Sequence, residues 1–219
     1  MINDLSNIYK KFEYEYSKCL KAYNLIDHEQ DSYTMQHSNR VASYAVLIGE
    51  KLNLNEDDLN TLRLGGMYHD IGKVGVPARI VFKNSSLDND EYVEMKKHTF
   101  IGTDILSHSL AFKEIIPIVR YHHEKYDGNG YEGLKGNDIP LFARIVTVAD
   151  SFDAMTSNRV YRNSLSMNFV KAEIEKNAGT QFDPEIAKVF LDILNTESDK
   201  IAEIQNRYNN NSTTKFFEY

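Results

Sequence analysis

Five of the seven histidines stand where they could ligate a metal: His37, His69, His98, His122 and His123. His69 is followed directly by Asp70, His122 is paired with His123, and Asp150 lies further along the chain. Imidazole and carboxylate are the ligands expected of borderline divalent metals such as iron, manganese or zinc. Thiolate chemistry is excluded, because Cys19 is the only cysteine; an intrachain disulfide is excluded with it. Adjacent residues on a continuous helix point about 100° apart. Two neighbouring side chains therefore serve one centre most easily where the helix stops. Gly72, three residues past His69, is expected to end one such helix. A glycine-rich loop follows His122-His123 and ends the other. Isolated histidines such as His28 and His108 are read as ordinary surface or core residues. The joint pattern points to a metal site in the core of a helical bundle.

The elements that must position these residues read as helices. Leu5, Ile8, Phe12, Tyr16, Cys19 and Tyr23 recur at helical spacing over residues 2–24. That stripe suits packing on the domain, or a dimer seam. A second helix is expected over about residues 32–52. A third is opened by Asn55 and Asp58 and runs to about Gly72. Another starts at Asp88 or Asn89 and carries His98. Residues 115–123 are expected to be helical, with Pro117 in the first turn. Gly128, Gly130, Gly133 and Gly136 then rule out a regular element. Pro140 suits the first turn of the helix that carries Asp150. Two further helices are expected over about residues 166–177 and 184–194, followed by a frayed tail from about Asn209. No period-2 strand pair is visible, so the fold class is all-α, with six to eight helices.

These motifs resemble an HD-GYP domain, a branch of the HD phosphohydrolase superfamily. The resemblance rests on His37-Ser-Asn-Arg-Val41, His69-Asp-Ile-Gly-Lys73 and Lys97-His98-Thr-Phe-Ile-Gly102. It continues through His122-His-Glu-Lys-Tyr-Asp-Gly-Asn-Gly-Tyr131 and Ala149-Asp150-Ser-Phe-Asp-Ala-Met-Thr-Ser157. Arg159-Val-Tyr-Arg162 and Gly179-Thr-Gln-Phe-Asp-Pro184 complete it, over roughly three quarters of the 219 residues. The resemblance implies an HD-domain helical bundle with two or three metals, usually iron or manganese. It implies hydrolysis of cyclic di-GMP to linear pGpG, GMP or both by a metal-bridging hydroxide. Carried over by position, His37, His69, Asp70 and Asp150 would hold one metal. His98, His122 and His123 would hold the other, with Asp70 bridging. Relatives with a third metal carry a glutamate where this chain has Tyr33, so two metals are expected. Lys73 would contact phosphate; Arg159, Arg162 and Tyr131 would grip substrate. Arg40 and Arg144 are read as structural, paired with acidic groups.

One departure stands out. The GYP signature reads Gly130-Tyr131-Glu132 here. Glutamate lacks the fixed φ of proline, so the loop is expected to be looser. It also adds negative charge beside a dianionic substrate. The competing readings are hydrolysis of another cyclic dinucleotide, or a catalytically silent receptor that keeps the fold.

Charge and composition set outer limits. Lys and Arg number 25 against 32 Asp and Glu, a net charge of −7. Such a chain is poorly suited to grip polymeric nucleic acid through its phosphates. No stretch approaches the ~20 apolar residues that span a bilayer, and the first residues lack the apolar run of a leader. A reducing cytoplasm is therefore expected. The organisation expected is an N-terminal helical extension over 1–28, the HD-GYP domain over 29–196, and a helix and partly disordered tail over 197–219.

Overall fold

The computed structural model describes residues 28–157 and 164–209. The amphipathic segment 2–24 with its dimer seam, Arg159, Arg162, the tail from 210 and the side chain of Tyr33 lie outside the described residues. The described helices are α1 (His28–Lys51), α2 (Glu56–Tyr68), α3 (Ala78–Val81), α4 (Asn89–Ser107) and α5 (Ile116–Tyr121). They continue with α6 (Leu141–Thr156), α7 (Met167–Lys176), α8 (Pro184–Thr196) and α9 (Ser198–Asn209). Tight 3₁₀ turns cover Ile71–Gly75, Leu110–Ile115 and Gly136–Asp138. The all-α expectation is borne out: among the described residues the only β pairing is an isolated bridge between Ala178 and Phe182. Seven of the helices have ten residues or more; α3 and α5, with four and six, are the short additions.

Local chemistry explains where the helices begin. Asn55 caps α2 by accepting from the Asp58 amide. Asp88 opens α4 with a reciprocal capping box to Glu91. Ser166 caps α7, and Asp183 caps α8 by accepting from the Glu185 and Ile186 amides. Each such cap contributes about 1 kcal/mol. Pro117 sits in the first turn of α5, as its missing N–H requires. Pro140 differs from expectation: it precedes α6 as an extended residue (φ −52°, ψ 137°).

α1 lies against both α2 and α6, and α6 against α5 and α8. Val41, Tyr44, Ala45 and Ile48 of α1 are fully buried against Leu62 of α2 and Ile145, Val148 and Phe152 of α6. The Phe152 ring meets Tyr44 on one side and Phe190 on the other, each edge-on at 4.9 Å. Burial of each such side chain stabilises by roughly 1.5–3 kcal/mol. This apolar slab fixes the spacing of α1, α2 and α6; α1 and α6 carry His37 and Asp150, and His69 directly follows the end of α2.

A second correction concerns Gly72. The α2 helix stops at Tyr68, before the His69-Asp70 pair, and Gly72 lies inside the following 3₁₀ turn. Its role is close approach. A Cβ there would stand 1.9 Å from the His98 carbonyl oxygen and 2.4 Å from the Gly102 amide nitrogen. Only glycine lets the turn press onto α4, and that contact brings Asp70 to His98.

Candidate metal centre

Asp70 is the hinge of the site. Its Oδ2 lies 3.3 Å from His69 Nε2 and 4.0 Å from His37 Nε2. Its Oδ1 lies 3.4 Å from His98 Nε2 and 3.8 Å from His122 Nε2. The two oxygens of one carboxylate thus face two separate groups of imidazoles. The first group is His37, His69 and Asp70; the second is Asp70, His98, His122 and His123. Asp150 completes the first side, with Oδ1 at 3.2 Å from His37 Nε2 and 3.9 Å from His69 Nε2. All seven residues singled out by sequence therefore converge.

The hydrogen bonds select which ring nitrogen points inward. His69 Nδ1 is 2.7 Å from the Gly66 carbonyl, His98 Nδ1 2.7 Å from that of Met95, and His122 Nδ1 3.0 Å from that of Val119. A carbonyl only accepts, so each Nδ1 carries the proton and each Nε2 presents a lone pair. Two of these lone pairs confront each other: His98 Nε2 and His122 Nε2 are 3.4 Å apart. Among the described residues, His69 Nε2 and Asp70 Oδ1 are buried without a hydrogen-bond partner. Buried acceptors that converge, with His69 Nε2 and Asp70 Oδ1 lacking any donor, fit divalent cations, two of them sharing Asp70.

The electrostatics of the two groups differ. Burial pushes His98, His122 and His123 down, His123 to about 3, so these rings are neutral. Burial opposes the charge of His37 as well, but hydrogen bonds to Asp150 and Asp153 outweigh it and hold its pKa at about 9. Burial works against ionised Asp70, yet the charges around it, Lys73 foremost, offset it and keep the carboxylate well below its usual range. Lys73 Nζ lies 2.5 Å from Asp70 Oδ2, so the residue expected to meet phosphate stands beside the shared ligand.

Several contributing residues escaped the sequence reading. Asp153 is fully buried, accepts from His37 Nδ1 at 2.8 Å, and is gripped by Arg40 Nε at 2.6 Å and Nη2 at 2.9 Å. The signal was its spacing: Asp153 follows Asp150 by three residues on one helix, as Arg40 follows His37. The structural readings of Arg40 and Arg144 are borne out, the latter through an ion pair with Asp183. Glu124, also buried, accepts from three successive amides: Glu132 at 2.6 Å, Gly133 at 2.9 Å and Leu134 at 2.9 Å. Gly130 makes this fold-back possible, since a Cβ there would stand 2.5 Å from Glu124 Cα. The fold-back lays Tyr131 against His123, ring centroids 4.7 Å apart. Tyr92 stands edge-on to Tyr131 at 6.0 Å, and Lys96 Nζ lies 5.1 Å from the Tyr131 ring. A pocket of about 130 Å³ opens here; Tyr92, Tyr131, His122, His123 and Asp150 are among its walls.

The expectation of a loose loop with an uncompensated charge is corrected. Glu132 forms a two-pronged ion pair with Arg120, Nε to Oε1 at 2.5 Å and Nη2 to Oε2 at 3.0 Å. Its charge is neutralised and its backbone is held by Glu124.

The HD domain family profile matches residues 22–186. The chain belongs to the HD domain family. The resemblance to the HD-GYP branch is borne out by relatives of similar sequence. A cyclic di-GMP phosphodiesterase of Thermotoga maritima is 38% identical over 186 residues, covering 84% of this chain and 50% of that protein. The 3′3′-cGAMP-specific phosphodiesterase 3 of Vibrio cholerae is 36% identical over 191 residues, covering 86% of this chain and 42% of that protein. This HD domain chain thus spans half or less of the length of these curated relatives. Among solved structures, the HDG"Y"P protein Bd1817 of Bdellovibrio bacteriovorus shares the fold, with a TM-score of 0.64 at 19% identity over 85% of this chain and 64% of that one. No helix among the described residues is long and apolar enough to cross a membrane.

Proposed function

We propose that this HD domain chain is a metal-dependent phosphodiesterase that hydrolyses cyclic di-GMP to linear pGpG, GMP or both. One observation carries the proposal: the two oxygens of Asp70 face two buried groups of imidazoles. His37, His69, Asp150 and Asp70 would hold one divalent metal; Asp70, His98, His122 and His123 would hold the second. Iron or manganese suits this mixed nitrogen and oxygen set. Bound there, the pair supplies Lewis acidity to a phosphoryl oxygen and makes water more acidic. The protein's own groups then position the substrate. Lys73 places a fixed ammonium beside Asp70, where it can meet a phosphate oxygen. Burial pushes the Tyr131 phenol up, so it stays protonated and can donate. Arg159 and Arg162, carried by the resemblance alone, would add guanidinium forks.

A second reading, 3′3′-cGAMP as the preferred substrate, is favoured by the Vibrio cholerae relatives that bear that specificity in their names. Both readings are tested together. The full chain, loaded with iron or manganese under anaerobic conditions, is incubated with a panel of cyclic dinucleotides and products are separated by chromatography. The expected result is cleavage of cyclic di-GMP, abolished by a chelator and restored by metal. Faster cleavage of 3′3′-cGAMP would install the second reading. Tight binding without turnover, at about two metals per chain, would replace both with a silent receptor.

A further inference from the structure

Arg120 and Glu132 bracket the segment that ends the second ligand group. Arg120 lies in the last turn of α5, two residues before His122, and Glu132 directly follows Tyr131. Their ion pair closes a loop of residues 120–132 on itself. Both side chains are about three-quarters buried or more, at 24% and 19% exposure. Arg120 is itself braced, with its guanidinium carbon 3.4 Å from the centre of the Phe100 ring on α4. Inside the closed loop, Glu124 receives the amides of residues 132–134. Glu132 is therefore held twice, through its carboxylate by Arg120 and through its N–H by Glu124. Proline at this position would supply neither bond.

We propose that the Arg120–Glu132 pair is a latch that positions Tyr131 over His123 and so shapes the substrate entrance. Glutamate here is a different device for the same rigidity, not a lapse from it. An Arg–carboxylate fork fixes direction as well as distance, and Phe100 removes the remaining freedom of the guanidinium. Arg120 and Glu132 are positioning residues: they act through Tyr131 and touch none of the metal-ligating residues in the structure. The effect on substrate rests on the phosphodiesterase reading; the effect on the loop does not.

The experiment has two arms. Hydrogen exchange of the Gly133 and Leu134 amides is measured on the full chain without substrate. Steady-state kinetics on cyclic di-GMP follow, with metal content checked for each variant. Arg120→Ala is expected to speed exchange about 10-fold, the size of a charge-assisted hydrogen bond, and to raise KM with kcat within about two-fold. Glu132→Gln should behave alike. Glu132→Pro should exchange fastest, because it also removes the N–H that Glu124 accepts. The double exchange Arg120→Glu with Glu132→Arg should recover most of the protection. Unchanged protection in Arg120→Ala, or a Glu132→Pro variant as protected as the wild type, overturns the latch. A wild type that cleaves no dinucleotide refutes the phosphodiesterase reading, and the exchange ordering then decides the latch by itself.

Discussion

The two halves of the candidate metal centre hang on one carboxylate but are not backed alike. Behind His37 stands a buried charge network: Asp153 accepts from its Nδ1 and is itself forked by Arg40. Behind His98 and His122, as behind His69, stand main-chain carbonyls three residues earlier, Met95, Val119 and Gly66. The first half draws together elements far apart in sequence, α1 and α6, and needs an ionic tie across them. The second half is built from α4 and the end of α5, which already press together at Gly102, where a Cβ would stand 2.8 Å from the Val119 side chain. A long-range tie between charges orients a ligand strongly, but leaves a buried ion if one partner is removed. A carbonyl acceptor inside one helix orients a ligand without that risk. The difference also appears in protonation, with His37 held up by its carboxylates and His98, His122 and His123 pushed down by burial.

Removing the shared residue should have the largest effect. Asp70→Ala takes a ligand from both halves at once. On the proposed function, metal content should fall from about two per chain to near zero, and turnover by on the order of 10³-fold or more, since two bound metals would supply several kcal/mol of transition-state stabilisation. Elemental analysis with product assay reads both. Retention of one full equivalent of metal would show that Asp70 serves one half only.

The halves can next be broken separately. Asp153→Ala removes the carboxylate that forks the buried Arg40 guanidinium, which should destabilise the fold by about 3–5 kcal/mol. Asp153→Asn, closer in shape, should instead weaken metal retention in the first half by about 10–100-fold, the usual effect of a lost outer partner. His98→Ala should empty the second half with a smaller loss of stability in the metal-free protein, because one of two facing lone pairs disappears. Denaturant unfolding and metal titration compare the three. Equal destabilisation by His98→Ala and Asp153→Ala would erase the asymmetry.

Sequence reading reached the ligands more completely than their supports. His37, His69, Asp70, His98, His122, His123 and Asp150 carry distinctive chemistry, and their neighbours form motifs. The helices of ten residues or more were legible because apolar spacing and caps such as Asn55 and Asp88 act locally. Supports are harder, because a support is defined by its partner. Arg120 meets Glu132 across twelve positions and Asp153 meets Arg40 across 113; no local pattern couples them. Gly72 was misread for the same reason. A helix-ending glycine and a close-approach glycine look alike until the opposing backbone, here His98, is in place. Pro140 shows the same limit at smaller scale, since the cap position and the first turn both suit its fixed φ.

The smallest expected effect lies where the second half meets the pocket. Tyr131 packs on His123 through its ring, and its hydroxyl stands with that of Tyr92. Tyr131→Phe keeps the ring and removes only the donor. Loss of one neutral hydrogen bond weakens binding by about 0.5–1.5 kcal/mol, so KM should rise roughly 2–12-fold while kcat and metal content hold. Tyr131→Leu also removes the stacking face and should raise KM further. The phenol is pushed up mainly by burial, with Tyr92 and Asp70 adding to it. It is thus protonated from about pH 6 to 9, well below even an ordinary tyrosine pKa of about 10. The ratio of wild-type to Tyr131→Phe KM should therefore stay constant through that range. A ratio that collapses toward one as pH rises would mean that the phenol ionises there. A kcat that falls with the hydroxyl would make Tyr131 a catalytic residue, and the pocket would then contribute chemistry as well as grip.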